Sequence, residues 1–228
     1  MVGQSRASYH PKATPRFYMK EEEIAVSVTK MTSAKTRFHF LAAQTMLKRQ
    51  QCLVSCKLGS LSKADATAFK ERIEAEYRVH MTLDGLPIAT VRVLTKDGVP
   101  YKAYDQGYPI GFKALDATGV EHFFLYNHLR FYVLYYKETY DAELGQIVGF
   151  EVEPLSAKHK YEAPWNAEAP LLSTCNPMTM TFVMPGDMPQ ALEMGEEIIF
   201  TYDVVWMVSD IPWARRWDTY LLKESTQN

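Results

Sequence analysis

The sequence predicts a mainly β protein, with a β-sandwich-like architecture and one helical insertion at about residues 63–76. Runs in which apolar and polar residues alternate recur at short spacing, and this is the pattern of half-buried strands. Only one segment has the 3.6-residue apolar period of an amphipathic helix. Several strands with a single helix favour packed layers of sheet over a helical bundle or a parallel α/β fold.

The bulk composition is that of a folded globular protein. Of the 228 residues, 47% are hydrophobic and 23% are charged, which is enough apolar material for a substantial core. The formal net charge is −2, so no general attraction to phosphate backbones is expected and nucleic acid is not a predicted partner. No run approaches the roughly 20 consecutive apolar residues of a membrane span, and no secretory signal peptide is predicted.

The order of the elements begins with a tail and a strand. Residues 1–16 combine glycine, proline and charge without periodicity, and they are predicted to form a disordered tail. The segment EEEIAVSVTK then alternates, with Ile24, Val26 and Val28 on one face, and is the first predicted strand. We expect one β-rich domain over residues 17–222.

The helical insertion carries both a start signal and a packing face. Ser62 can cap the N-terminus, and Asp65 lies three positions later in an arrangement like a capping box. Ala66, Phe69 and Ile73 lie on one face of the helix. That face is predicted to pack against the sheet.

The later strands are predicted from turn residues and alternation. In YRVHMTLDGLPIATVRVL two β-branched runs meet at Asp84–Gly85, the dipeptide best suited to a tight hairpin turn. The segments RFYVLYYKE and GQIVGFEVEP alternate and are predicted as strands. EEIIFTYDVVWMVSD carries apolar residues on both faces, which predicts a central strand.

The three cysteines leave two alternatives open. Cys52 and Cys56 are close in sequence, whereas Cys175 is distant, and a CxxxC pair with no second pair is weak evidence for zinc. No metal site is predicted. The cysteines are either reduced thiols in the core, or Cys52 and Cys56 form a disulfide in an oxidising lumen and leave Cys175 unpaired.

The sequence does not predict an enzyme. It contains no GxSxG, HExxH, GxGxxG or P-loop pattern, so no catalytic residue, cofactor or small-molecule substrate is predicted. His122 and His128 could approach an acid such as Asp116 or Glu121, but nothing in the spacing selects a third group. A hydrolase built on these histidines is therefore the weakest hypothesis.

The segment VVWMVSDIPWARRWDTYL concentrates indoles, guanidinium groups and carboxylates. We predict that Arg216 stacks on an indole and pairs with Asp218 or Asp210, which would make a rigid clamp at the exit of the chain. The predicted docking motif consists of Asp210, Trp213, Arg216, Trp217 and Asp218.

The same segment, FTYDVVWMVSDIPWARRWDTYL, resembles the nonaspanin pattern FTYSVxWxxSDIxWAxRWDxYL, which precedes the first membrane helix in the nine-transmembrane superfamily. EYRVHMTLDGLPIAT is similar to YRVxxxxDNLPxA of that family, GYPIGF to GFPxGF, and FLYNHLRFYVLYY to YLYNHLxxxxxYH. QIVGFEVEPLSAKH, CLVSC and VTKMTSAKT resemble RxVGFEVxPxSxKH, CxxLC and VNKLTSxKT. The matched loops contain Asp84, Leu86, Pro87, Gly107, Pro109, Gly111, Asn127 and His128.

The resemblance implies a luminal N-terminal domain joined to nine membrane helices in Golgi and endosomal membranes. It implies a role in trafficking and in the localisation of membrane proteins, with membrane-protein cargo and the chain's own transmembrane region as partners. The docking motif would then lie near the membrane, and residues 223–228 would form a truncated junction before an absent first transmembrane helix.

One departure from the family and one rival function remain as expectations. Between TSAKTRFHF and CLVSC the family has a longer passage with a YYxLPFC motif, whereas LAAQTMLKRQQ stands in this chain, which predicts a deletion. The rival function is a free-standing β-sandwich module that binds carbohydrate or peptide through Trp213, Trp217 and Tyr220. A pocket lined by these rings would favour it, and burial of the rings against the sheet would oppose it.

Overall fold

The structure is a computed structural model that describes residues 26–28, 49–138 and 145–221. The predicted tail and the predicted junction lie outside these residues. The strands are β1 (Val26–Val28), β2 (Gln50–Leu58), β3 (Arg78–Val79), β4 (Met81–Leu83), β5 (Leu86–Pro87), β6 (Ala89–Lys96), β7 (Val99–Gln106), β8 (Tyr108–Pro109), β9 (Gly111–Leu115), β10 (Glu121–Leu125), β11 (His128–Tyr136), β12 (Gln146–Leu155), β13 (Gln190–Ala191) and β14 (Ile198–Val208). The helices are α1 (Lys63–Glu74), α2 (Asp218–Leu221) and two 3₁₀ turns at Pro177–Thr179 and Trp213–Arg215. The prediction of a mainly β protein is confirmed.

The largest sheet has six strands in the order β2-β14-β11-β12-β6-β7. It is mixed, because β11 runs antiparallel to β12 but parallel to β14. Residues 198–204 of β14 are all buried between β2 and β11, which confirms the predicted central strand. The other described strands form three smaller sheets, β1-β4-β5, β13-β10-β9 and β3-β8.

Two apolar clusters lie on opposite faces of the six-stranded sheet. The larger cluster joins inward residues of β11, β12 and β14 to residues of β3, β4, β8 and α1. The smaller cluster lies between β2, β14 and the loop after β12, and includes Cys175, Val183 and Ile199. A large sheet covered by smaller ones is compatible with the predicted sandwich-like arrangement.

Helix α1 forms at the predicted place. The Ser62 hydroxyl oxygen accepts a hydrogen bond of 3.1 Å from the Asp65 backbone N–H, as the capping pattern predicts. Ala66 and Ile73 are buried. The helix ends two residues before the predicted bound, at Glu74, and Glu76 adopts a left-handed conformation with φ 53° that stops it.

Two hairpins turn on Asp-Gly pairs. Asp84 and Gly85 have φ of 49° and 78°, the positive values that a two-residue turn of this kind requires, and they join β4 to β5 as predicted. Asp97 and Gly98 have φ of 52° and 80° and join β6 to β7. The second turn carries the same Asp-Gly sequence signal as the first.

Both alternatives for the cysteines are wrong, because the three are not all reduced thiols and Cys52 is not bonded to Cys56. Cys52 is bonded to Cys175, 123 residues later, and Cys56 is a free thiol. Both Cys52 and Cys56 lie on β2, where four residues at about 3.3 Å each separate their Cα atoms by roughly 13 Å, and a disulfide needs less than about 7 Å. The Cys52–Cys175 bond instead ties β2 to the loop after β12. Burial raises the pKa of the free Cys56 thiol.

Candidate functional site

The chain leaves the central strand β14 through residues 209–221, which we call the C-terminal docking segment. Its first residue, Ser209, donates a backbone hydrogen bond of 2.8 Å to the carbonyl of Tyr135 at the end of β11. The two short helices of the segment follow, and they lie beside the first residues of β12. The exit of the chain is therefore attached to the sheet.

Arg216 is the centre of this attachment. Its Nη1 donates hydrogen bonds of 2.6 Å to Asp84 Oδ2 in the β4–β5 turn and of 3.1 Å to the Ile147 carbonyl. Its guanidinium lies 4.5 Å from the centre of the Trp213 ring. The side chain is only 11% exposed, so these contacts form in a largely dry environment.

The predicted stacking of Arg216 on an indole is confirmed, but its predicted carboxylate partners are wrong. Asp218 instead pairs with Arg215, with 3.1 Å between Nε and Oδ2. Residues three apart on a helical turn share a face, which places Arg215 beside Asp218 in solvent while Arg216 turns toward the sheet. Asp210 is exposed. The ion pair at Arg216 thus reaches a turn that is distant in sequence.

Tyr220 anchors the end of the docking segment. Its ring is 8% exposed and its hydroxyl oxygen accepts a hydrogen bond of 3.0 Å from the Phe150 backbone N–H. Burial raises its pKa to about 12. Trp213 and Trp217, by contrast, are 47% and 44% exposed. The three rings proposed for carbohydrate binding therefore divide into one core ring and two surface rings.

A buried polar network lies on the opposite face of the sheet, beneath the disulfide. Asp203 is fully buried, and its carboxylate accepts hydrogen bonds from the Cys52 backbone N–H at 2.8 Å and from Arg130 Nε at 3.0 Å. His128 Nε2 lies 3.3 Å from Asp203 Oδ2. Burial alone would raise the pKa of Asp203, but the interactions with His128, Cys52 and Arg130 outweigh it and lower the pKa.

Two histidines share one hydroxyl in this network. Thr201 Oγ1 lies 2.7 Å from His128 Nδ1 and 2.8 Å from His159 Nε2, and His159 Nδ1 lies 2.9 Å from Thr174 Oγ1. A hydroxyl has one proton, so it donates to one ring and accepts from the other. Burial and the neighbouring His128 lower the pKa of His159 to about 3. His159 is therefore neutral at physiological pH.

Asn127 and Arg130 attach loops to the sheet from the same strand end. Asn127 is fully buried, donates hydrogen bonds to the carbonyls of Ala157 and Ile199, and accepts one from the Ala157 N–H. Arg130 also donates to Glu153 Oε2 at 3.1 Å and to the Val183 carbonyl at 2.7 Å. The matched Asn-His motif thus has a structural role in connecting the strands to the long loop.

Two of the matched loop glycines are required by close packing. A Cβ at Gly111 would lie 2.1 Å from the Phe124 carbonyl oxygen. A Cβ at Gly107, which has φ +70°, would lie 2.6 Å from the carbonyl oxygen of Val79. The remaining matched residues, Leu86, Pro87 and Pro109, lie in the short strands β5 and β8, and Leu86 is fully buried.

The structure does not bring together the two histidines of the hydrolase hypothesis around one acid. His122 is partly exposed and lies 2.9 Å from Asp116, whereas His128 contacts the buried Asp203. The sulfur atoms of Cys52 and Cys175 and the Asp203 carboxylate lie within 4.8 Å of one another. The two sulfurs are bonded to each other, so neither is a thiolate available to a metal ion.

Sequence reasoning missed His159, Asp203 and the third cysteine as members of one network. The available signal was the matched SAKH and FTYDV motifs, which contain His159 and Asp203. Within the part of the chain that the structure describes, no helix combines the length and the apolar character that crossing a bilayer requires.

The fold and the docking segment define a mainly β domain whose C-terminal end is held in a fixed orientation. Residues 17–228 match the family model described as endomembrane protein 70. Transmembrane 9 superfamily member 8 of Arabidopsis thaliana is 36% identical over 251 residues, and the match covers 96% of this chain and 38% of that protein. Transmembrane 9 superfamily member 4 of Homo sapiens is 32% identical over 196 residues, with 80% and 29% covered. No solved structure matches the chain significantly.

The chain belongs to the endomembrane protein 70 family, and the curated proteins that it resembles are transmembrane 9 superfamily members. It spans less than two-fifths of the length of these relatives. The 251 aligned positions exceed the 228 residues of the chain, so the Arabidopsis relative carries residues that this chain lacks.

Proposed function

We propose that this chain is the luminal region of a Golgi or endosomal nine-span membrane protein that takes part in localising other membrane proteins. The observation that carries the proposal is the docking segment, in which Arg216 and Tyr220 attach the exit of the chain to the sheet. A domain whose last residues are fixed in this way transmits its orientation to whatever follows. The transmembrane 9 relatives, which extend well beyond the matched region, support a following membrane region.

The proposed role is non-catalytic. His122 and His128 contact different acids, and the cysteines nearest to Asp203 are joined in a disulfide. Asp203, Arg130 and Asn127 are engaged in connecting strands and loops, and Asp203 and His128 are less than 2% exposed. The domain would then act by binding or by positioning, with its own transmembrane region and membrane-protein cargo as partners.

The first test is the topology of the native protein. An epitope inserted at the exposed Asp97–Gly98 turn of the chromosomal gene should sediment with Golgi or endosomal membranes, resist alkaline extraction, and be protected from protease until detergent opens the vesicles. A soluble native product of 26.2 kDa that is accessible to protease without detergent would refute the proposal.

The second test addresses cargo. Loss of the gene should change the amounts of a defined set of membrane proteins at the cell surface, measured by surface biotinylation and quantitative mass spectrometry. Re-expression of the wild-type gene should restore them. Unchanged surface levels of all membrane proteins would oppose the trafficking role, and would leave the topology result unaffected.

The half-exposed indoles of Trp213 and Trp217 favour one rival, a module that binds carbohydrate or peptide. It predicts saturable binding to a glycan or peptide array, and loss of that binding in Trp217→Ala. Tyr220 does not contribute to such a surface, because its ring is buried and hydrogen-bonded to the sheet.

A further inference from the structure

Large apolar side chains become exposed where β14 leaves the sheet. Residues 198–204 of this strand are buried, but Met207 and Val208 are 40% and 69% exposed. The docking segment that follows carries the half-exposed rings of Trp213 and Trp217. Four large apolar residues within eleven positions of sequence thus face solvent at the end of the domain from which the chain exits.

The two indoles are held in place by residues that are themselves fixed. The Arg216 guanidinium lies over Trp213, and the buried ring of Tyr220 lies 6.0 Å from the ring of Trp217. Because the backbone of the segment is attached to the sheet through Arg216 and Tyr220, the exposed faces of both indoles are presented without a further loss of conformational freedom. This surface is therefore preorganised for a partner.

The chemistry of the surface fits the interfacial layer of a lipid bilayer. Indole rings combine an apolar body with an N–H donor, and they favour the level of the lipid headgroups. Arg215, between the two tryptophans in sequence, pairs with Asp218 and has a side chain that is 73% exposed, and an exposed guanidinium is a strong hydrogen-bond donor to phosphate. A core-type protein interface would instead exclude such an exposed ion pair as Arg215–Asp218 from its centre.

We propose that Trp213 and Trp217 insert into the headgroup layer of the membrane, so that the end of the sheet at Val208 rests on the bilayer surface. This inference rests on the proposed function, since a membrane region after the docking segment would bring these rings to the bilayer. It adds the orientation of the domain. The end of β14 from which the chain exits faces the lipid, and the β6–β7 turn at Asp97–Gly98 lies at the opposite end of the sheet.

Quenching of tryptophan fluorescence by brominated lipid tests this orientation. The full 228-residue chain is attached through a C-terminal histidine tag to phosphatidylcholine vesicles that contain a nickel-chelating lipid, with bromine at a shallow or a deep acyl position. We expect the shallow bromine to quench more strongly than the deep one. The double variant W213F/W217F should lose this difference, whereas the matched variant W165F should keep it, because Trp165 packs against Tyr161 beside the smaller core cluster.

The result that overturns the proposal is equally direct. Absence of bromine-dependent quenching in the wild-type chain would show that the indoles stay outside the bilayer. The same conclusion would follow if bromine quenched W165F and W213F/W217F equally for each tryptophan that remains. The measurement on the wild-type chain needs no variant, so it remains valid even if a substitution impairs folding. Failure here would leave the luminal topology and the cargo measurements untouched, and a negative cargo result would leave the quenching result valid.

Discussion

Arg216 and Asp84 are joined by a hydrogen bond of 2.6 Å across 132 residues of chain. The contact links the docking segment to the β4–β5 turn of a three-stranded sheet. Asp84 is half exposed, whereas Arg216 is almost buried. We therefore expect the two residues to contribute unequally to the free energy of unfolding, so that substitutions at Asp84 and at Arg216 have different effects.

Asp84→Asn removes the charge but keeps a residue that tolerates the left-handed conformation of the turn. We expect it to lower the free energy of unfolding by about 0.5–1 kcal/mol, because a half-exposed ion pair is screened by solvent. Arg216→Ala should cost about 1–3 kcal/mol, since it also removes the stacking on Trp213 and the bond to Ile147. Urea unfolding measures both. The control Arg215→Ala should change stability by no more than about 0.5 kcal/mol, and a larger effect there than in Arg216→Ala would contradict the assignment.

Removal of the disulfide in Cys52→Ser/Cys175→Ser should lower stability by about 3–5 kcal/mol, because the bond closes a loop of more than a hundred residues in the unfolded chain. Cys56→Ala should cost about 1 kcal/mol and leave the bond intact. Thiol titration in non-reducing denaturant should find one free thiol in the wild type and none in Cys56→Ala. Cys175→Ser alone should leave two free thiols, those of Cys52 and Cys56, and finding none would mean that these two residues are bonded to each other.

Acidification should destabilise the domain through His159. Above about pH 6.5 the histidine is neutral in both states, so it makes no pH-dependent contribution. As the pH falls toward 3, His159 binds a proton in the unfolded chain but stays neutral in the folded chain. The free energy of unfolding therefore falls, by about 2 kcal/mol at pH 5. The lowered pKa of Asp203 adds a loss in the same direction at lower pH. His159→Gln should show a shallower slope of unfolding free energy between pH 4 and 7, and an unchanged slope would contradict this reading.

Asn127→Ala should be among the most damaging polar substitutions. It removes the side-chain partner of the Ala157 and Ile199 carbonyls and of the Ala157 N–H, at a cost of about 2–4 kcal/mol. The control is Asn166→Ala, an exposed asparagine whose side chain also accepts backbone hydrogen bonds, for which we expect about 1 kcal/mol or less. Thermal unfolding that ranks the two in the opposite order would remove the structural role assigned to the Asn-His motif.

Gly111→Ala tests close packing without the complication of a positive φ. The added methyl would collide with the Phe124 backbone, which cannot move as a side chain can, so we expect a loss of about 3 kcal/mol. Gly59 has nothing within 4 Å of the same position, and Gly59→Ala should be close to neutral. Chemical denaturation of the two variants gives the comparison directly. Equal stabilities would mean that β9 and β10 lie farther apart than described.

The parts of the fold that were predicted correctly are those that local chemistry determines. Ser62 caps α1 through its own neighbour Asp65, and the Asp84–Gly85 turn follows from the backbone freedom of those two residues. The central position of β14 followed from apolar residues on both of its faces. Each of these signals is contained within a few consecutive residues.

What was missed depends on pairs that are distant in sequence. Cys52 and Cys175 meet because β2 and the loop after β12 both pack beside β14, and no spacing rule contains that information. The partner of Arg216 was sought among nearby acids, whereas the segment folds back onto the β4–β5 turn. The His128–Asp203 contact requires the parallel alignment of β11 with β14, which sequence alternation alone does not reveal.

The place of β14 in the sheet has a consequence for the order of assembly during synthesis. It lies second from one edge, between β2 from the beginning of the domain and β11 from its middle, yet it is the last strand in the described residues. Until residues 198–208 emerge, β2 has no neighbour in this sheet and Asp203 is missing from beneath Cys52. The sheet can therefore be completed only when the strand that leads into the docking segment has been made.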